Sequence, residues 1–167
     1  MNFHVGDPVM HWVYGFGHVV GIEERDFADR KNLYYAISTH HLTVWVPADD
    51  QLDFRLRSPS TEQEFTELFA ILSGAGDELP DDRQVRKLWL VEKLKDGRAK
   101  SLCRVLRALA SYQNRHSLND NDHNLMKRSR DALVSEWTHV LSVTTAKAEA
   151  DLFQLLSTGA AGEPKRK

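Results

Sequence analysis

Phe3-His4-Val5-Gly6-Asp7-Pro8-Val9 begins the N-terminal segment in which the strand pattern is clearest. It continues with Gly15-Phe16-Gly17-His18-Val19-Val20-Gly21-Ile22-Glu23 and closes with Leu42-Thr43-Val44-Trp45-Val46-Pro47. β-Branched and aromatic residues in short runs between glycine-rich or polar turns are typical of β-strands. We predict strands at residues 9–13, 16–25, 33–38 and 42–46, with a bend or bulge at Gly21. Four short strands within the first 46 residues favour a small Tudor- or SH3-like barrel.

The strand pattern ends at Pro47, and we predict that residues 48–60 form a linker. Apolar residues then recur at helical spacing, and the short connections between these segments favour a compact bundle. We predict five helices. The first is capped by Thr61 and Glu64, the second runs from about Asp82 to Lys95, and the third from about Ala99 to Asn114. The fourth follows Asn119–Asp122, and the fifth is capped by Thr144 or Thr145 and ends at Gly159.

Two of these helices carry specific predictions about which side chains face the core. The second is expected to turn Val85, Leu88, Trp89 and Leu94 inward, and the last to bury Phe153. Together the segments predict an α+β protein, in which a small β-barrel precedes an all-α helical bundle. We assign residues 1–58 to the barrel, residues 59–158 to the bundle and residues 159–167 to a disordered tail.

The cysteine content and hydropathy bear on the compartment. The single cysteine, Cys103, excludes an intrachain disulfide and suits a buried apolar position in a reducing cytosol. The sequence holds no apolar run of the roughly 18–20 residues that a membrane span needs. We therefore expect a cytoplasmic protein without a membrane partner.

Charge is distributed unevenly along the chain. The formal net charge is only −2, but residues 83–107 carry nine lysines and arginines against Glu92 and Asp96. Such a local excess creates a field that attracts a polyanion. The candidates for nucleic-acid contact are Arg83, Arg86, Lys87, Lys93 and Lys95. The alternative is a solvated helix face with ion pairs between successive turns.

Catalytic and metal-binding patterns are not apparent in the sequence. His4, His11 and His18 recur every seven residues, but this interval across separate strands gives no fixed ligand geometry, and no cysteine accompanies them. The chain has no phosphate-binding loop, nucleophile elbow or metalloprotease motif. We predict a protein that is not an enzyme and that has no cofactor, no metal and no small-molecule substrate.

The two halves of the sequence together resemble the CarD/CdnL family of bacterial transcription regulators. The resemblance is carried in the first half by Phe3-x-Val5-Gly6-Asp7-x-Val9, Gly15-x-Gly17-x-Val19, Gly21-Ile22-Glu23 and Leu42-Thr43-Val44-x-Val46-Pro47. The second half adds Val91-Glu92-Lys93-Leu94-x-x-Gly97, Val105-Leu106-Arg107-x-Leu109 and Leu125-Met126-x-x-Ser129-Arg130-x-x-Leu133-x-x-Glu136. These motifs occur in the family's order, and the resemblance as a whole spans residues 1–157.

The resemblance implies two partners. In the family, a Tudor-like N-terminal domain docks on the β subunit of RNA polymerase. A helical C-terminal domain contacts promoter DNA at the upstream edge of the melted bubble. Together these contacts favour the open promoter complex. We therefore expect a nucleoid-associated transcription regulator that binds the polymerase β subunit and, weakly and without sequence specificity, promoter DNA.

The resemblance also implies site residues. Arg25 matches a family arginine that contacts polymerase, and Trp45 lies where relatives often carry a second one. Alignment on Glu92-Lys93-Leu94 places Arg83 where relatives have a tryptophan that wedges into the minor groove, and Arg86 at a basic position of the family. Because Trp45 alternates with Val44 and Val46, it is expected to point away from the core; the alternative is a core aromatic residue.

The missing wedge tryptophan supports a second hypothesis. The chain could be a protein-interaction adaptor that docks on polymerase or another partner without productive DNA binding.

Overall fold

The computed structural model describes residues 2–161, with side chains to residue 159. Strands occupy the first part of the chain and helices the rest, which confirms the α+β class. The chain divides into two compact units, one up to Pro59 and the other from Ser60 onward. Most of the predicted tail, residues 162–167, lies outside the described residues.

The N-terminal unit is a five-stranded antiparallel sheet with the order β4-β3-β2-β1-β5. Its strands are β1 (Pro8–His11), β2 (Gly15–Phe27), β3 (Arg30–Thr39), β4 (Thr43–Pro47) and β5 (Leu56–Arg57). Its core is apolar and is formed by Phe3, Val9, Val19, Tyr35, Ile37, Val46, Leu52 and Leu56. Each of the four predicted strands is present.

The long hairpin formed by β2 and β3 differs from its prediction at the tip. Val19 pairs with Ile37 and Gly21 pairs with Ala36, so Val20 is the extra residue of a β-bulge, as predicted at Gly21. Both strands extend beyond their predicted ranges of 16–25 and 33–38, because pairing continues to Phe27 and Arg30. A two-residue turn closes the hairpin, with positive φ at Ala28 and Asp29, as in a type I′ turn.

The predicted linker at residues 48–60 is also wrong in its middle. It contains the short helix α1 (Leu52–Arg55) and strand β5, which pairs with β1. Leu52 and Leu56 are buried in the core of the sheet unit. Burial of these two leucines holds the segment in place although it is too short to show a helical or strand period.

The C-terminal unit is helical. Its helices are α2 (Glu62–Ser73), α3 (Arg83–Leu94), α4 (Ala99–Gln113), α5 (Asp120–Leu141) and α6 (Thr145–Ala161). The predicted capping box at Thr61 and Glu64 is present, and Asn119 and Asp122 form a second one. In both, the cap side chain accepts a hydrogen bond from an amide that the helix leaves unpaired.

Three predictions about these helices are wrong. Val85 and Leu88 face solvent, being 52% and 71% exposed, and Phe153 on α6 is 70% exposed. Gly159 does not end α6, which continues to Ala161. A Cβ at Gly159 would collide with the Arg107 guanidinium and lie 2.9 Å from the carbonyl oxygen of Gly74. This glycine therefore allows close packing rather than helix termination.

Candidate functional site

Arg25 and Trp45 meet on the outer face of the sheet. The Cζ atom of Arg25 lies 3.8 Å from the centroid of the Trp45 ring, a cation–π contact. Register explains it, because Trp45 pairs with Ala36 and Ala36 pairs with Gly21. Arg25 follows Gly21 by four residues and so shares its face of β2. The structure thus brings together the two polymerase-binding candidates, which come from non-neighbouring strands.

Trp45 points away from the core, as its alternation with valines predicts. Val46 is 1% exposed, and Val44 packs against the same core cluster, whereas Trp45 is partly buried and contacts Arg25. Its strand, β4, is the first in the sheet order. One edge of β4 therefore lacks a strand neighbour in the described part of the chain, and such an edge can accept a partner strand.

Glu23 belongs to the same surface and was not among the predicted site residues. Its Oε2 atom lies 3.4 Å from Nη2 of Arg25, and both side chains are about half exposed. The carboxylate and the Trp45 ring contact the guanidinium and favour one orientation of it, although an exposed ion pair contributes little stability by itself. The period-2 pattern of β2 could have identified Glu23, because it lies two residues from Arg25.

The basic candidates on α3 do not form one patch. Arg83 and Lys87 are exposed and lie one turn apart, so they share a side of the helix. The ammonium of Lys93 lies 5.3 Å from the centroid of the Trp89 ring. Lys95 follows the helix and lies 3.9 Å from Glu92. The exposed cations therefore surround the helix, and only Arg83 and Lys87 present adjacent charges.

Arg86 lies in the interior of the helical unit, at 3% exposure. Its Nε and Nη2 atoms contact Oδ2 of Asp122 at 3.0 Å and 2.9 Å. Nη1 donates to the carbonyl oxygens of Pro80 and Asp81 and to the Tyr112 hydroxyl. The hydrogen bond to Asp122 raises the pKa of Arg86 despite its burial. With all these donors engaged, Arg86 holds α3 against α5 and is no longer a candidate for phosphate contact.

Apolar side chains occupy part of the α3 surface. Val85, Leu88 and Val91 are 52%, 71% and 54% exposed, while Leu90 on the other side is fully buried. The inward face carries the buried Leu90 and Arg86, and Trp89 and Leu94 pack partly buried against the same core cluster, as predicted. Val85 and Leu88 were predicted wrongly because the most apolar stripe was taken as the buried one.

Comparison with known proteins assigns both units. The model of the CarD C-terminal domain matches residues 67–153, and the model of the CarD-like/TRCF RID domain matches residues 3–57. The chain belongs to the CarD family. The sheet unit with its Arg25–Trp45 contact is thus the RID domain, the RNA polymerase-interacting domain, and the bundle carrying α3 is the CarD C-terminal domain.

A relative named as a transcription factor agrees with this assignment. The chain is 26% identical over 145 residues to the protein of Bacillus subtilis (strain 168) named "Putative transcription factor YdeB", which covers 85% of this chain and 94% of the relative. CarD family membership makes this chain a transcription regulator with a polymerase-interacting domain. The matched families are of transcription factor type rather than enzyme families. Among the described residues, no helix is long and apolar enough to cross a membrane.

Proposed function

We propose that this CarD family member binds the β subunit of RNA polymerase through the Arg25–Trp45 surface, contacts promoter DNA through exposed cations of the helical unit, and so stabilises the open promoter complex. The observation that carries the proposal is the 3.8 Å contact between the Arg25 guanidinium and the Trp45 ring on the outer face of the sheet. Because it would be bound to polymerase at promoter DNA, the chain would be found at the nucleoid.

The Arg25–Trp45 surface has the properties of a protein-binding hot spot. Arginine and tryptophan are the residue types most enriched at such sites. Here the two side chains already contact one another, so less rotamer freedom is lost when a partner binds. The free edge of β4, which carries Trp45, adds backbone donors and acceptors that an incoming strand can pair with.

The DNA contacts are assigned to Arg83 and Lys87, with Lys93 and Lys95 in supporting positions. Cations one turn apart can reach neighbouring phosphates, and such contacts position a protein without reading sequence. Arg83 is also suited to a narrow minor groove, where the negative potential is enhanced. With a formal net charge of −2, the free chain is expected to bind DNA weakly.

Tethering makes weak DNA contacts sufficient. A chain held on polymerase experiences a high effective concentration of the promoter DNA bound by the same enzyme. If its contacts fit the open complex better than the closed one, they shift the equilibrium by the difference in binding free energy. The expected readout is therefore a longer-lived open complex rather than tight binding to free DNA.

The polymerase contact is tested by Arg25→Glu. Reversal of this charge removes the cation–π contact and places a second carboxylate beside Glu23. We expect binding to the isolated polymerase β subunit to weaken by about 30-fold, which corresponds to the roughly 2 kcal/mol of a hot-spot residue. Fluorescence anisotropy of the labelled chain titrated with β subunit measures this.

Lys31→Glu is the matched control for that experiment. Lys31 pairs with Asp26, so it lies on the opposite face of the same hairpin from Arg25. Lys31→Glu makes the same change of charge as Arg25→Glu, and the affinity for the β subunit should stay within about twofold of the wild-type value. If the wild type and Arg25→Glu bind the β subunit with equal affinity, the Arg25–Trp45 surface is not part of the polymerase interface.

One set of observations favours a second candidate function. Arg86 is buried, and Val85, Leu88 and Val91 expose apolar surface on the helix that carries the DNA-contact candidates. An adaptor that docks on polymerase without productive DNA binding would have such a surface. The two candidates differ in one measurable property, since only the DNA-binding form loses its effect when Arg83 and Lys87 are neutralised.

A further inference from the structure

Two residues, Ser58 and Pro59, connect the last paired strand of the sheet unit to the start of the helical unit. Arg57, the last residue of β5, pairs with Met10 of β1. The helical unit begins at Ser60. Ser58 and Pro59, which we call the connector, are fewer than the residues of most connections between secondary-structure elements. Because each residue contributes only φ and ψ, such a short connection leaves few backbone torsions free.

The helical end of the connector is held by a buried carboxyl group. The amide of Ser60 donates a hydrogen bond of 2.7 Å to Oε1 of Glu136. Glu136 lies on α5 and is 1% exposed. The next amide, that of Thr61, donates to Oε2 of Glu64 on α2, also at 2.7 Å. A buried acceptor holds an amide firmly, because water does not compete for it. The chain that leaves the connector is therefore fixed to two helices of its own unit.

The sheet end and the connector itself are also restricted. Nη1 of Arg57 donates a hydrogen bond to the carbonyl oxygen of Ser58 at 3.2 Å. The ring of Pro59 fixes its φ at about −65°. A residue that precedes proline favours extended backbone conformations, and this restriction applies to Ser58. Of the torsions between Arg57 and Ser60, ψ of Pro59 and φ of Ser60 are therefore the least restricted.

We infer that the connector is a stiff joint, which makes the sheet unit and the helical unit reorient together in solution. Its functional consequence rests on the function proposed above. A flexible tether lets weak DNA contacts sample many positions, whereas a stiff joint confines them to a smaller volume. The effective concentration of promoter DNA at Arg83 and Lys87 is then higher, and less freedom is lost when they bind.

Backbone nitrogen relaxation of the full chain, measured by NMR, tests the stiffness without polymerase. Wild-type amides in the strands and in the helices are expected to report the same rotational correlation time. Insertion of four Gly-Ser repeats between Ser58 and Pro59 should shorten the correlation time of both units, and that of the sheet unit more, because it is the smaller. Pro59→Gly, a milder change, should give a smaller separation. Two different correlation times in the wild type would overturn the inference.

Hydrogen exchange at Ser60 tests the anchor. With its amide bonded to Glu136, Ser60 is expected to exchange at least about tenfold more slowly than an unprotected amide in the same local sequence. A Ser60 amide that exchanges at the unprotected rate would show that Glu136 does not hold this end of the connector, and would overturn the inference.

The lifetime of the open promoter complex tests the functional consequence. The insertion variant should keep its affinity for the β subunit within about twofold, because no residue of the Arg25–Trp45 surface changes. Its gain in lifetime over polymerase alone should be at least about threefold smaller than that of the wild type. The same repeats added after Lys167 are the matched control and should leave the gain unchanged.

Failure of the inference is distinguishable from failure of the proposed function. A wild type that does not lengthen the lifetime would contradict the proposed function, and the relaxation experiment would still decide whether the connector is stiff. An insertion variant with the full wild-type gain would overturn the inference and leave the proposed function standing.

Discussion

Arg86→Met is expected to lower the free energy of unfolding of the helical unit by about 3–5 kcal/mol, the cost of breaking a buried ion pair from one side. The substitution leaves the Asp122 carboxylate buried without the Arg86 cation, although it still accepts a hydrogen bond from the Asn119 amide at 3.4 Å. It also leaves the carbonyl oxygens of Pro80 and Asp81 without the guanidinium. Since methionine fills similar volume, the loss arises from charge and hydrogen bonding rather than from a cavity.

Urea unfolding of a chain labelled with 5-fluorotryptophan measures this effect unit by unit. Fluorine signals of Trp12 and Trp45 follow the sheet unit, and those of Trp89 and Trp137 follow the helical unit. Arg83→Met is the control, since Arg83 is exposed on the same helix and should change stability by no more than about 0.5 kcal/mol. Asp122→Asn, added to Arg86→Met, removes the unpaired charge and should recover part of the loss. If Arg86→Met lowers the free energy of unfolding by less than about 1 kcal/mol, Arg86 does not hold α3 against α5 as described.

Acidification is expected to destabilise the sheet unit through His11. His11 is 6% exposed, and its Nδ1 atom accepts hydrogen bonds from the amides of Val13 and Tyr14, at 3.1 Å and 3.2 Å. Burial, and secondarily the positive charge of Arg55, lowers the pKa of His11 from 6.5 to about 4. Protonation would place a hydrogen on the atom that accepts both amides, and so would break the turn between β1 and β2.

The sign follows from proton binding. Between pH 6.5 and about 4 the unfolded chain binds a proton at His11 that the folded chain does not. The free energy of unfolding therefore falls as pH falls through this window, by about 3 kcal/mol in total at about 1.4 kcal/mol per pKa unit. Above pH 6.5, His11 makes its full contribution to the free energy of unfolding.

Fluorine-detected unfolding between pH 7.5 and 4.5 checks the prediction at Trp12 and Trp45. His11→Asn keeps an acceptor near the position of Nδ1 but does not titrate, so the slope with pH should decrease. His4→Asn is the control for the loss of an exposed histidine from the same unit. If the free energy of unfolding depends on pH equally in His11→Asn and in the wild type, the pH dependence arises from groups other than His11.

Local signals in the sequence predicted much of the fold. Gly21 indicated the bulge, and the capping residues Thr61 and Asn119 indicated where two helices begin, because each depends on residues within one turn or one pleat. The short segment from Leu52 to Arg57 was missed for the converse reason. Its structure depends on burial and on pairing with β1, which no local pattern encodes.

The site was harder to predict because its contacts are not local. Arg25 was predicted from the family resemblance, but its contact with Trp45 required the register of three strands. Arg86 was assigned to the surface with its basic neighbours, since its partner Asp122 lies 36 residues away. Helical phase offered one clue, because Arg86 precedes the buried Leu90 by one turn.

If the chain acts by holding polymerase and promoter DNA together, it should lengthen the lifetime of the open promoter complex. The measurement compares polymerase alone with polymerase plus wild type, Arg25→Glu, or the double variant Arg83→Ala with Lys87→Ala, after challenge with a competitor. We expect the wild type to lengthen the lifetime, and both variants to lose the effect while the double variant still binds the β subunit. A double variant that lengthens the lifetime as much as wild type does would contradict the bridging mechanism.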